Sequence, residues 1–148
     1  MTKATAVLAA AIALATLAAG CGGGSRLSHD AFVEQANAIC TSYDTAVKKL
    51  RTPRTPSEIE RYTNRVLPLY RRALGALAAL KEPREDAPAV ARLLRVDRMI
   101  EGDLELLAAA ARERRIPAVR EIVARARADN ARSNRIAAAL GLSVCAKA

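Results

Sequence analysis

Between Ser28 and Leu50 the apolar side chains fall at Phe32, Ala36, Ile39, Tyr43, Val47 and Leu50. Steps of three and four put them on one face of a helix. Ser28 is placed to cap the start, with Asp30 near the positive end of the helix dipole. Thr52-Pro53-Arg54-Thr55-Pro56 breaks the pattern, and Thr55-Pro56-Ser57-Glu58 opens the next one as a capping box with proline in the first helical position. This second predicted helix runs to about Lys81 with the stripe Ile59, Tyr62, Val66, Leu69, Ala73, Leu77 and Leu80. Pro68 lies inside it and removes one ladder hydrogen bond, so a kink is expected there.

After the turn Glu82-Pro83-Arg84-Glu85-Asp86, with Asp86 a candidate cap, a third helix carries Val90, Leu93, Val96, Ile100, Leu104, Leu107 and Ala111 and ends near Arg115. The fourth runs from Pro117 to Leu140, where Gly141 supplies a left-handed stop and Leu142 the apolar contact that accompanies it. Its stripe of Val119, Val123, Ala126, Asn130, Ser133, Ala137 and Leu140 turns polar in the middle, with Asn130 and Asn134 one turn apart. No segment alternates as a strand would. Four helices of similar length joined by short turns predict an all-α, up-down-up-down four-helix bundle over residues 28–148.

The residues ahead of the bundle read differently. Met1 to Lys3 is a short basic start, Ala4 to Ala19 an uninterrupted run of apolar residues and threonine, and Ala18-Ala19-Gly20 a group of small residues before Cys21. This is the three-part layout of an export signal. The run is shorter than the roughly 20 strongly apolar residues of a spanning helix, and it is dominated by alanine. Leu17-Ala18-Ala19-Gly20-Cys21 resembles the lipobox of bacterial lipoproteins, which departs from the family's usual form only in placing Ala18, not leucine, three positions before the cysteine. The resemblance implies removal of residues 1–20, a diacylglyceryl group on Cys21, and a lipid-anchored position at the cell membrane, outside the cytoplasm. Residues 21–27, with Gly22, Gly23, Gly24 and Ser25, then serve as a flexible tether. The alternative is ordinary signal cleavage and release of a secreted, soluble helical protein.

Three cysteines are an odd number for an exported chain. If Cys21 is lipidated, Cys40 and Cys145 remain, and in an oxidising compartment a disulfide between them is the default. Residues 141–145, if extended, reach about 17 Å back along the bundle, roughly the distance from the base of the first helix to Cys40. The other reading is a buried, unpaired Cys40 within the first apolar stripe. Beyond the lipobox, the chain resembles small Ala- and Arg-rich exported helical proteins of high-GC bacteria that carry one early cysteine and a Gly-Leu-x-x-Cys ending, here Gly141-Leu142-Ser143-Val144-Cys145. That likeness implies an extracytoplasmic setting and no particular activity.

Composition narrows the core and the partners. Apolar residues are 51% of the chain but aromatics only 3%, so the core is built from Ala, Leu, Val and Ile packed helix on helix. Without Lys3 the chain holds 23 basic and 15 acidic residues. Nucleic acid, the usual partner of a basic domain, is scarce outside the membrane, which leaves an anionic envelope polymer or an envelope protein. The two turns at one end of the bundle should gather Lys48, Lys49, Arg51, Arg54, Arg112, Arg114, Arg115 and Arg120 as a candidate anion-binding cap. Cations at helix C-termini also complement the dipole with no partner at all.

Motifs for catalysis, metals and cofactors are missing. The one histidine, His29, sits at a helix start beside Asp30, which is a poor foundation for a nucleophilic triad. No Glu-x-x-His pairs, C-x-x-C spacing or phosphate loop occur, and the carboxylates, Glu101 and Glu105 among them, read mostly as solvated surface with local ion pairs. The expectation is therefore a non-enzymatic, membrane-tethered binding module with no metal and no cofactor. A small-ligand carrier is the alternative, with a cavity between helices near Pro68 and Tyr62 or Tyr70.

Overall fold

The computed structural model describes residues 25–147, so the expected export signal, Cys21 and the three following glycines lie outside the described residues. Four helices follow one another: α1 His29–Val47, α2 Pro56–Ala79, α3 Ala87–Arg112 and α4 Ile116–Ala139, with a short 3-10 turn at Cys145–Lys147. Neighbouring helices pack antiparallel as an all-α four-helix bundle, and no strand occurs among the described residues.

The helix starts follow from local chemistry. Ser28 Oγ accepts from the Ala31 amide at 3.3 Å. At α2 the capping box is complete: Thr55 Oγ1 accepts from the Glu58 amide, and Glu58 Oε2 accepts from the Thr55 and Arg54 amides at 3.1 and 2.8 Å. Those amides hold the Glu58 carboxyl below its ordinary range. α2 continues through Pro68, whose missing N–H leaves the Asn64 carbonyl without its ladder donor. Asp86 stands at the N-cap position of α3 as the sequence suggested, but its side chain makes no capping bond there. Its carboxylate turns instead to His29 Nδ1 at 2.7 Å, tying the start of α1 to the start of α3.

Two helices end in the same way with different residues. After α4, Gly141 takes φ +76°, the Leu142 amide donates to the Ala137 carbonyl and the Gly141 amide to that of Ala138, a Schellman closure that buries Leu142 completely. α3 stops at Arg112, short of the expected Arg115, because the same pair of bonds forms there: Arg115 to Ala110 and Arg114 to Ala111, with Arg114 at φ 55°. α1 likewise stops at Val47, and Leu50 belongs to the turn.

The core has two centres. One joins Phe32 and Ala36 of α1, Val90 and Leu93 of α3, and Ala137, Leu140 and Leu142 at the end of α4. The other, beside the α3–α4 turn, is Ala110, Ala111, Val119 and Ile122, with Ile59 of α2 packed on it. α1 contacts α2 and the C-terminal tail, and the tail in turn packs on α4. The tail is fixed in its path by the Val144 amide, which donates to Asn37 Oδ1 at 2.9 Å, and by the Cys40–Cys145 disulfide across 105 residues, with Cα atoms 5.2 Å apart. Cys40 is therefore bonded, which removes the unpaired reading.

Candidate functional site

Two places concentrate polar chemistry, one at the surface and one inside. The surface place is the end of the bundle where the α1–α2 and α3–α4 turns meet. Antiparallel order puts both turns there, and Ile59 in the first turn of α2 packs against the α3–α4 core. All eight basic residues expected at this end lie in or beside these turns. Two of them are neutralised locally: Lys48 pairs with Asp44 one helical turn earlier, and Arg115 Nε with Glu113 at 2.6 Å. Arg51 lies in the field of the Glu58 carboxylate, and among the described residues the side chains of Lys49, Arg54, Arg112, Arg114 and Arg120 have no carboxylate partner.

The structure adds two arginines that the sequence reading passed over. Arg61 and Arg65, one turn apart on α2, join Arg51, Thr52 and Tyr62 around an open recess of about 250 Å³ beneath the α1–α2 turn. Neither has an ion-pair partner among the described residues. Glu58 also borders the recess, but its Oε2 is engaged by two backbone amides. The spacing of Arg61 and Arg65 four residues apart, shortly after a capping box, was the available signal.

The inner place lies halfway along the bundle. A cavity of about 60 Å³ is bordered by Tyr43 and Cys40 of α1, Tyr70 of α2, Asp97 of α3, Asn130, Ser133 and Asn134 of α4, and Cys145 of the tail. Asp97 is 8% exposed, and its Oδ1 accepts from Ser133 Oγ at 2.6 Å. Burial pushes the Asp97 carboxyl above its ordinary value, opposed by hydrogen bonds from Ser133 and Tyr70. Tyr70 and Tyr43 meet edge to face with centroids 5.7 Å apart; burial raises Tyr43 to about 12 and Tyr70 further still. The cavity therefore reaches Tyr70, as the carrier alternative required, and Asn130 and Asn134 stand at its edge. Tyr62 is at the outer recess instead.

Asp97 corrects the expectation that carboxylates lie on the solvated surface. Asp103 corrects it too: 5% exposed, it receives Arg125 Nε and Nη2 on Oδ1 at 2.8 and 2.6 Å, while its Oδ2 is buried without a partner. Both positions fall three residues from a stripe member, Asp97 before Ile100 and Asp103 after it, so the pattern contained the hint. Glu101 and Glu105 are paired across helices, both with Arg71 of α2. Among the described residues no three His, Cys, Asp or Glu side chains gather as metal ligands, and no helix is long and apolar enough to cross a membrane. No family model, curated protein or solved structure matches this chain.

Proposed function

We propose that the protein is a lipid-tethered binding module of the cell envelope, non-enzymatic, which presents the turn end of its bundle to an anionic partner. The observation that carries this reading is the gathering of cations at that end, where Arg51, Arg61 and Arg65 border one recess with Tyr62 and a single carboxylate, Glu58, beside them. Glu58 stands beside Arg51 and is held by backbone amides, while Arg61 and Arg65, without an ion pair among the described residues, keep their donors available for phosphate or carboxylate oxygens. The lipobox at Cys21 and a bonded Cys40–Cys145 pair support an address outside the cytoplasm, since such bonds persist in oxidising compartments. Tethering near residue 21 at the opposite end of the bundle would leave the turn end facing away from the bilayer.

The test has two arms. Intact mass of protein extracted from membranes should show loss of residues 1–20 and a diacylglyceryl group on Cys21; an unmodified mature chain in the medium would move the protein to the secreted class. Retention on acidic envelope polymer should fall steeply as salt rises. It should also fall when Arg51, Arg61 and Arg65 are reversed to glutamate. Retention unchanged by that triple reversal would dismiss the turn end as the docking surface.

A further inference from the structure

The inner cavity holds a carboxylate with no counter-cation. Asp97 is buried, no lysine, arginine or histidine among the described residues borders the space around it, and the neutral hydroxyls of Ser133 and Tyr70 donate to it. Removing an ionised carboxylate from water is costly unless a cation or several donors compensate. The rest of the border is suited to such a cation: the faces of two tyrosines, the carbonyl-bearing amides of Asn130 and Asn134, and apolar walls from Leu74, Leu77 and Leu93. Asn130 is exposed, so the cavity reaches the surface at α4. All four helices and the disulfide-held tail contribute, which fixes the geometry of the space before anything enters it.

From this arrangement we infer that the Asp97 cavity is a binding site for a small primary alkylammonium ion, its –NH3+ group on the Asp97 carboxylate and its carbon chain against Tyr43 and Tyr70. An ammonium has three donors, and Asp97, Tyr70 and an asparagine carbonyl supply acceptors from three helices. The volume of about 60 Å³ has room for the charged head and one or two carbons, and a quaternary ammonium, which has no N–H, has nothing to donate to Asp97. The inference gives the small-ligand alternative a ligand class, and it stands or falls independently of the tether and of the turn end. Protons compete with the ligand for Asp97. The groups facing it are Tyr70 from α2, Tyr43 from α1, and only the neutral Asn130, Ser133 and Asn134 from α4, and the tail's cysteine is bonded. Affinity should therefore rise with pH as the carboxyl ionises.

Calorimetric and NMR titration of the full chain in a non-ionic detergent with methylammonium, methanol and tetramethylammonium tests it. Saturable binding of methylammonium alone is expected, strengthening with pH and weakened about tenfold or more by Asp97→Asn, which keeps the size of the side chain and its contacts with Ser133 and Tyr70. Circular dichroism of D97N confirms the fold, and Asp44→Asn at the surface should bind as the parent does. Equal binding of methanol would make the space a neutral cavity and overturn the inference. So would equal binding of tetramethylammonium, an unchanged D97N, or no saturable binding of methylammonium at all.

Discussion

The two ends of the bundle solve the same structural problem with different residues. Where the chain termini lie, α4 closes with Gly141 at φ +76°; where the turns lie, α3 closes with Arg114 at φ 55°. The first end buries Phe32, Leu93, Leu140 and Leu142, and the second is two alanines with Val119 and Ile122. At the first end Arg26 lies 3.6 Å from Glu82 and His29 pairs with Asp86, while Arg92, Arg132 and Arg135 border a recess there without an ion pair among the described residues; at the second, five of the eight expected cations have no carboxylate partner. Large side chains, a glycine stop and the His29–Asp86 tie between α1 and α3 make one end a foundation. Small side chains, an arginine in a glycine's conformation and the Arg51, Arg61 and Arg65 recess mark the other as the end we propose for docking.

The sharpest way to break this comparison is at the disulfide, which ties the tail leaving the foundation end to the middle of α1. In the chain-entropy account, closing a loop of 105 residues contributes up to about 4 to 5 kcal/mol. Cys40→Ser with Cys145→Ser should cost most of that in denaturant unfolding and free the tail from α1. A loss under about 1 kcal/mol would show that the tail is held by Asn37 and Leu142 without the bridge.

Next in size is a pair of core truncations. Phe32→Ala should cost about 3 to 5 kcal/mol, because Phe32 is 2% exposed at the centre of the larger core. Ile122→Ala removes fewer atoms and borders a turn that can settle, so about 2 kcal/mol is expected. Equal costs would mean the two ends are equally well packed, and the comparison would fail.

Much of this contrast was legible in the sequence, and the illegible part has a common cause. The stripes located all four helices, Thr55 and Glu58 announced the start of α2, and Gly141-Leu142 announced the end of α4, because each is a local pattern with one strong structural answer. The Cys40–Cys145 pair followed from parity and chain reach. Asp86 and Asp97 escaped because their roles depend on which other helix stands opposite, and Arg114 because its residue type does not mark a left-handed stop. Asp86 looks like a cap until His29 comes near it, and Asp97 looks solvated until Tyr70 and Ser133 close over it. The basic residues of the turn end could be placed by topology alone, whereas the recess of Arg51, Arg61 and Arg65 required the path of the α1–α2 turn.

A smaller effect, opposite in sign, comes from Arg114. A left-handed residue with a side chain costs about 1 to 2 kcal/mol, offset in part by the greater freedom glycine has when unfolded. Arg114→Gly should therefore stabilise the protein by about 0.5 to 1 kcal/mol, read as a rise of a few degrees in melting temperature. It should weaken retention on acidic polymer, since one unpaired cation is lost. A variant that is more stable and binds unchanged would show that Arg114 is tolerated there and contributes nothing to the docking surface.

The smallest effect tests the foundation's charge pairing through pH. The His29 pKa is raised from 6.5, first by its hydrogen bond to Asp86 and then, against desolvation, by the charges of Asp86, Asp30 and Glu85. The folded state therefore holds the proton more tightly than the unfolded chain. Its contribution to stability is complete below about 6.5 and disappears as pH rises through the higher folded value. His29 is 48% exposed at its side chain, so the effect should be small and should shrink further in high salt. His29 is the one histidine in the chain, which leaves few other groups titrating between pH 6 and 8. Melting temperature should decline slightly across that window in the parent, and the decline should be shallower in Asp86→Asn, which keeps the side chain's shape but removes the charge. Parallel pH profiles for the two would mean that α1 and α3 are joined at this end by Phe32 and Val90 alone, with the ion pair a passive consequence of their packing.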